Sequence, residues 1–305
     1  MVNFKNRNII SIRDFSREEI LHILGTAKKF KNKPHPDLLK RKILASLFFE
    51  PSTRTRFSFE SAMQRLGGSV ISLADAKTSS SAKGESVSDS IKIVDKYCDV
   101  IVMRHSLEGA ARLAAEVTDN PILNGGDGAN QHPTQTFLDL FSIMETQGRL
   151  KNLNVALVGD LKYGRTTHSL AYALGLFGAR LFFVAPPSLQ MPFHVIHDLK
   201  KIKAKYSTYT DPERLMPKLD IFYATRIQKE RFDYPLAYEK VKDTFVITNK
   251  LLAKVKKNFK ILHPLPRVNE INYEVDNTPY AYYFQQANNG LYVRQALLAL
   301  VLGKA

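Results

Sequence analysis

The run Ser52-Thr53-Arg54-Thr55-Arg56 gathers three hydroxyls and two guanidiniums into five consecutive residues. It follows a β-like apolar run, Ile43 to Phe49, and precedes a segment with Phe59, Ala62, Met63 and Leu66 at helical spacing. A helix therefore starts here, and its first turn offers unpaired N–H groups and the positive end of the helix dipole. Ser52 is placed to cap it, Thr53 and Thr55 add hydroxyl donors, and Arg54 adds a planar fork suited to phosphate oxygens. The chemistry this arrangement suits is anion binding, phosphate above all. The plainer reading is an N-cap followed by solvated arginines, and the density of donors favours the anion site.

Five more polar clusters follow β-like runs: Arg104-His105, Gly126 to His132, Gly159 to Arg165, Thr225-Arg226, and His263-Pro264-Leu265-Pro266-Arg267. In His132-Pro133-Thr134-Gln135, Pro133 suits a first helical position, and His132 and Gln135 share a face. A histidine there can donate to a carbonyl oxygen or merely cap, and spacing alone does not choose. The stretch Gly159 to Thr166 nearly follows the phosphate-loop pattern G-x-x-x-x-G-K-[ST], with Arg165 replacing the lysine. Bulky Leu161 and Tyr163 stand where a backbone cradle wants small residues. A guanidinium for a carboxylate is the better reading than a triphosphate site.

The elements that must position these clusters alternate. Val70 to Leu73, Val100 to Met103 and Pro121 to Leu123 read as strands, the last stopped by Asn124-Gly125-Gly126. Helices are expected around Val87, Ile91 and Val94, over Glu108 to Val117, and from Pro133 to Gln147. The second half repeats the pattern, with strands at Val155 to Val158, Leu181 to Ala185, Ile221 to Ala224 and Ile261-Leu262. Its helices span Thr166 to Phe177 and Pro192 to Lys203. Leu291 to Leu302 is a final helix, apolar nearly all round and hence buried. The expected fold is α/β, two domains each with a parallel sheet flanked by helices. Ligands in such sheets bind at the carboxyl ends of strands, so polar clusters from both halves imply an active site in the cleft between the domains.

Composition narrows the class. The 305 residues are about twice a typical domain, and 44% are hydrophobic. No apolar run approaches the roughly 20 residues of a membrane span, and Met1 to Arg13 lacks a signal-peptide core. A lone cysteine, Cys98, makes neither an internal disulfide nor a Cys-based zinc site, which fits a cytoplasmic location. The formal charge of +15 invites a nucleic-acid reading. Its lysines lie in dispersed runs, Lys28 to Lys42, Lys200 to Lys205 and Lys250 to Lys260, which read as solvated faces. A basic field also suits small anionic substrates.

Phe48-Phe49-Glu50-Pro51-Ser52-Thr53-Arg54-Thr55-Arg56 resembles the signature of the aspartate and ornithine carbamoyltransferases, and Gln131-His132-Pro133-Thr134-Gln135 resembles their second motif. His263-Pro264-Leu265-Pro266-Arg267, Lys162 to Thr166 and Thr225 to Arg231 resemble the aspartate branch, where ornithine enzymes carry His-Cys-Leu-Pro. Charge agrees: Arg165, Arg226 and Arg267 would repel the side-chain cation of ornithine and welcome the carboxylates of aspartate. The resemblance implies transfer of a carbamoyl group from carbamoyl phosphate to the α-amino group of L-aspartate, an early step of pyrimidine biosynthesis. Ornithine carbamoyl transfer is the alternative, ahead of nucleic-acid binding and a phosphate-loop NTPase.

Roles follow from the same resemblance. Ser52, Thr53, Arg54 and Thr55 would bind the phosphate; Thr55, Arg104 and His132 would polarise the carbamoyl oxygen. Gln135 and the carbonyls of Pro264 and Leu265 would hold its amino group. Arg165, Arg226 and Gln228 would take the aspartate carboxylates, with Lys83 and Ser79 supplied by a neighbouring subunit; Ser80 and Ser81 leave that serine's register open. The implied domains are 1–131 with the C-terminal helix 286–305, a connecting helix 132–148, and 149–285. No cofactor or metal is implied, and no nucleic acid or membrane partner. The implied assembly is a homotrimer with shared sites, and the sequence leaves open whether a separate regulatory chain joins it. No side chain is an obvious base for the amine, which leaves the departing phosphate as the proton acceptor.

Overall fold

The computed structural model describes residues 2–73, 84–228, 232, 235–241 and 244–305. It divides into two compact units, Met1–Phe141 with Asn288–Ala305, and Ser142–Ala287. The first unit contains α1 (Arg17–Asn32), β1 (Ile43–Phe48), α2 (Thr53–Arg65), β2 (Ser69–Leu73), α3 (Val87–Val94), β3 (Val100–His105), α4 (Ala110–Glu116) and β4 (Ile122–Asp127). Its sheet is parallel throughout, in the order β2-β1-β3-β4. Then α5 (Pro133–Gln147) leads into the second unit. There follow β5 (Asn154–Val158), α6 (Arg165–Leu176), β6 (Arg180–Val184), α7 (Phe193–Lys201), β7 (Lys205–Tyr209), β8 (Ile221–Ala224), α8 (Pro235–Glu239) and β9 (Lys260–Leu262). This sheet is also parallel, in the order β7-β6-β5-β8-β9. The last helix, α9 (Tyr283–Val301), begins in the second unit and ends in the first.

Five elements depart from the sequence expectation, one of them the short helix α8, which lies where no element is expected. The α1 helix covers a stretch for which the sequence suggests no element, and only its last turn overlaps the lysine run that begins at Lys28. Ser16 and Glu19 form a reciprocal capping box, and Ile20, Ile23, Leu24, Ala27 and Phe30 are buried, leaving Lys28 and Lys29 on the solvated face. The edge strand β7 escaped detection because its residues, Lys-Tyr-Ser-Thr-Tyr, are half-buried or exposed. Strand β4 does not stop at Asn124 but runs through Gly125 and Gly126 to Asp127, buried throughout. A Cβ at Gly125 would lie 3.2 Å from the Met103 carbonyl oxygen, so glycine here permits a close approach rather than a turn. Finally, α9 starts eight residues before Leu291 because its first half buries polar Gln286 and Asn289 beside Tyr283, which a hydrophobic pattern misses.

Both sheets begin with the same clamp. Asp99, just before β3, accepts the Ile43 N–H with Oδ2 at 2.8 Å and pairs with Lys42 at 2.6 Å, while its own N–H returns to the Ile43 carbonyl. Asp220, just before β8, accepts the Asn154 N–H at 2.8 Å and pairs with Lys256 at 2.7 Å, and its N–H returns to the Asn154 carbonyl. Each carboxylate thereby fixes the start of a central strand whose N–H would otherwise lack a partner. Among the described residues, no helix is long and apolar enough to cross a membrane.

The two clamps differ in burial, with the carboxylate side chains 30% and 5% exposed at Asp99 and Asp220. Asp220→Ala should therefore lower stability by about 2–3 kcal/mol and Asp99→Ala by about 1 kcal/mol, because water can replace only the second. Denaturant titration of both variants reads this order, and an equal or larger loss for Asp99→Ala contradicts it. Half-buried Cys98 donates toward the Val94 carbonyl, and burial, with Asp95 nearby, pushes its thiol up to about 11. Alkylation at pH 8 should then run roughly tenfold or more slower in the folded than in the unfolded chain. Equal rates would contradict that environment.

Candidate active site

In the first unit the strand order reverses at β1, with β2 on one side and β3 and β4 on the other. Open parallel sheets bind ligands at the carboxyl ends beside such a reversal. Phe48 is in register with Arg104, and His105 with Asp127, so the ends of β1, β3 and β4 are level. Ser52, Arg104 and His132 all issue from these ends.

Ser52 is the N-cap residue of α2 in extended backbone, but among the described residues its hydroxyl makes no capping bond. The first-turn N–H groups, which have no intrahelical acceptors, are thus not satisfied by the side chain that usually takes them. Thr53 and Arg54 are exposed there, and Thr55 is buried. Arg54 has no hydrogen bond or ion pair among the described residues, and desolvation lowers its pKa. An exposed guanidinium without a protein partner has room for an anionic one.

Arg104 is held instead. Its Nε lies 3.2 Å from Glu50 Oε2, and its Nη1 donates to the Gly125 carbonyl at 3.4 Å, so it spans the ends of three strands. His132 is buried, with Nδ1 3.4 Å from Thr134 Oγ1. The chain reaches it through a loop built on buried Asp127. That carboxylate accepts from Asn124 Nδ2 and the Gln131 N–H at 3.0 Å, and from the Gly109 N–H and Asn130 Nδ2 at 2.9 Å. Gln135 donates Nε2 to Asp139 Oδ1 at 2.8 Å, which fixes the amide and leaves Oε1 as an acceptor. Asp139 is itself buried and faces the charge of fully buried Arg294 on α9. A Cβ at Gly290 would lie 2.4 Å from Arg294 Nη1, so glycine makes room for that guanidinium.

In the second unit the order reverses at β5, between β6 and β8. Arg165 is the first residue of α6, Arg226 and Gln228 follow β8, and Pro264 and Leu265 follow β9; all five are partly exposed. Buried Asp160 ties two of these segments together, accepting the Tyr163 N–H at 3.0 Å and the Gln228 N–H at 3.4 Å. Gly159 has φ +114, and a Cβ there would lie 2.2 Å from the Thr225 carbonyl oxygen, so only glycine lets the two loops pass.

The loop is not a phosphate cradle. The Gly159, Leu161 and Tyr163 N–H groups donate to Val184 O, Leu189 O and Asp160 Oδ1, and Leu161 is fully buried. Arg267 corrects the sequence reading. Its guanidinium pairs with both Asp276 oxygens, donates to Tyr283 Oη, and lies 4.5 Å over the Tyr273 ring. The hydrogen bond to Asp276 raises its pKa. Its charge is spent inside the fold, and it leaves the carboxylate-binding set.

Ser79, Ser80, Ser81 and Lys83 lie outside the described residues, as does 229–231 of the Thr225 to Arg231 motif. Glu50, Asp127, Asp139 and Asp160 escaped the sequence reading as organisers. Glu50 lay within the recognised motif, and Asp139 stands one helical turn beyond Gln135, which is the only local signal either gave.

Residues 7–145 match the family model described as aspartate/ornithine carbamoyltransferase, carbamoyl-P binding domain, and residues 151–301 match its Asp/Orn binding domain. A curated relative from Shewanella halifaxensis, named aspartate carbamoyltransferase catalytic subunit 2, is 58% identical, the match covering 97% of this chain and 96% of that protein. One from Methanopyrus kandleri, named aspartate carbamoyltransferase catalytic subunit, is 53% identical over 99% of each. Among solved structures, the M. jannaschii aspartate transcarbamoylase catalytic subunit is 50% identical with a TM-score of 0.90, covering 97% of this chain and 98% of that one. Aspartate transcarbamoylase from Trypanosoma cruzi in complex with carbamoyl phosphate and aspartate is 38% identical with a TM-score of 0.93, covering 98% of each. Matched along both halves by sequence and by fold, the chain belongs to the aspartate/ornithine carbamoyltransferase family.

Proposed function

We infer that this chain transfers the carbamoyl group of carbamoyl phosphate to the α-amino group of L-aspartate, giving N-carbamoyl-L-aspartate and phosphate. The observation that carries this is that one chain holds both an uncapped, cationic helix start in its first unit and, in its second, Arg165 at the start of α6 and Arg226 just after β8. The first suits a phosphate and the second suits carboxylates, whereas ornithine would bring a cation toward those guanidiniums.

Ser52, Thr53, Arg54 and Thr55 bind the phosphate. Arg104, His132 and Thr55 donate to the carbamoyl oxygen, on which negative charge grows as the amine attacks. Donors fixed in advance, as Glu50 and Gly125 fix Arg104, stabilise that charge without reorganising. Gln135, whose free amide atom is an oxygen, accepts from the carbamoyl NH2 together with the Pro264 and Leu265 carbonyls. Arg165, Arg226 and Gln228 take the aspartate carboxylates. The amine attacks the carbamoyl carbon, the C–O bond to phosphate breaks, and the departing phosphate accepts the amine proton. Residues 1–131 with 286–305 form the carbamoyl-phosphate domain, 132–148 the connecting helix, and 149–285 the aspartate domain.

The working assembly on this reading is a cytoplasmic homotrimer in which a neighbour supplies Lys83 and Ser79. Support comes from Phe57, Ile93, Tyr97 and Leu107 of the first unit, large apolar side chains each more than half exposed. The name catalytic subunit among the relatives supports a separate regulatory chain as a further partner.

Two variants test the roles. Arg54→Ala should cut kcat by about 10²–10³-fold with an unchanged circular dichroism spectrum. Arg226→Ala should raise KM for aspartate with little change in carbamoyl phosphate affinity. Near-normal turnover of Arg54→Ala, or an Arg226→Ala defect confined to carbamoyl phosphate, would refute the respective assignment.

A further inference from the structure

Leu265 adopts φ +57, a left-handed backbone that is unfavourable for a residue with a branched side chain. Such a conformation persists only where its surroundings hold it. What holds Leu265 is His263: the Leu265 N–H donates to His263 Nδ1 at 2.8 Å. Nδ1 is therefore the unprotonated nitrogen, and Nε2 carries the hydrogen. Nε2 lies 2.7 Å from Glu270 Oε1, and both side chains are buried. The second Glu270 oxygen accepts the Val268 and Asn269 N–H groups at 3.1 Å each. His263 is also fixed through its backbone, whose N–H donates to buried Gln286 Oε1 at 2.8 Å.

Neither side chain is assigned a contact with substrate, yet together they determine where the backbone between them points. Burial pushes the Glu270 carboxyl pKa up, but the hydrogen bonds from His263 and the backbone N–H groups outweigh it, and the net shift is downward. A carboxylate is the one side-chain group that accepts from all three donors at once. A glutamine there sets its NH2 either against the Val268 and Asn269 N–H groups or against His263 Nε2–H. In the second orientation, relief comes only by moving the imidazole proton to Nδ1, where it would face the Leu265 N–H.

We propose that His263 and Glu270 are a positioning pair that aims the Pro264 and Leu265 carbonyls, and that this aim lets the enzyme select a carbamoyl NH2 over a methyl group of the same size. The proposal rests on the reading that those two carbonyls accept from the carbamoyl amino group. A carbonyl correctly aimed at NH2 gains a hydrogen bond, and the same carbonyl facing CH3 is left desolvated and unpaired.

The test compares dissociation constants for carbamoyl phosphate and acetyl phosphate, which differ by that one group, in the full chain and in His263→Leu, Glu270→Gln and His263→Asn. Wild type should prefer carbamoyl phosphate. His263→Leu and Glu270→Gln should lower that preference about tenfold, the scale of one hydrogen bond, through weaker carbamoyl phosphate binding at unchanged acetyl phosphate binding. His263→Asn, whose Oδ1 can take the Leu265 N–H, should keep most of the preference. Equal weakening of both ligands would reduce the pair to a general structural role and overturn the proposal. A wild type without preference would instead overturn the carbonyl reading beneath it. Should the leucine variant fail to fold, nitrogen NMR of the wild-type imidazole still decides: hydrogen on Nε2 alone supports the pair, and hydrogen on Nδ1 overturns it.

Discussion

Cations meant for a substrate must be kept from the carboxylates of their own protein, and the candidate site is organised around that constraint. Three arginines illustrate its range. Arg54 has no ion pair among the described residues and sits at a helix start whose cap residue makes no capping bond. Arg104 shares its charge with Glu50 and gains a fixed direction in return. Arg267 is fully committed, to Asp276 and to the aromatic rings around it. In a chain of formal charge +15 the arginine side chain alone says little; its partner decides whether it binds, points or packs.

Buried carboxylates supply the direction. Asp127 gathers four donors and so shapes the loop that leads to His132. Asp160 joins the loops of Tyr163 and Gln228, Asp139 turns the Gln135 amide, and Glu270 holds His263 against the Leu265 turn. Each is largely removed from water and each is satisfied by donors, which is the condition for a buried charge to specify geometry rather than destabilise it. The two sheet clamps at Asp99 and Asp220 apply the same device to strand starts.

Much of this was legible from local pattern. Strand ends followed by polar clusters were visible because apolar runs and motifs alternate along the chain, and Ser52 to Thr55, Arg104, His132 and Gln135 do lie on the level strand ends or the helices that follow them. What stayed hidden depends on distant partners. Arg267 looked available because Asp276 is nine residues away with no periodicity linking them. Charged and polar residues interleaved with its buried stripe masked α1, and glycines masked the continuation of β4, which needs the Met103 backbone close by. The roles of Asp127 and Glu270 require contacts that no spacing rule supplies.

The central claim is that the cationic strand ends of the second unit choose a dicarboxylate amine as carbamoyl acceptor. Phosphate release from carbamoyl phosphate, measured with L-aspartate and with L-ornithine in parallel, tests it most directly. Release with aspartate and none above background with ornithine is the predicted result. Release with ornithine alone would contradict the account.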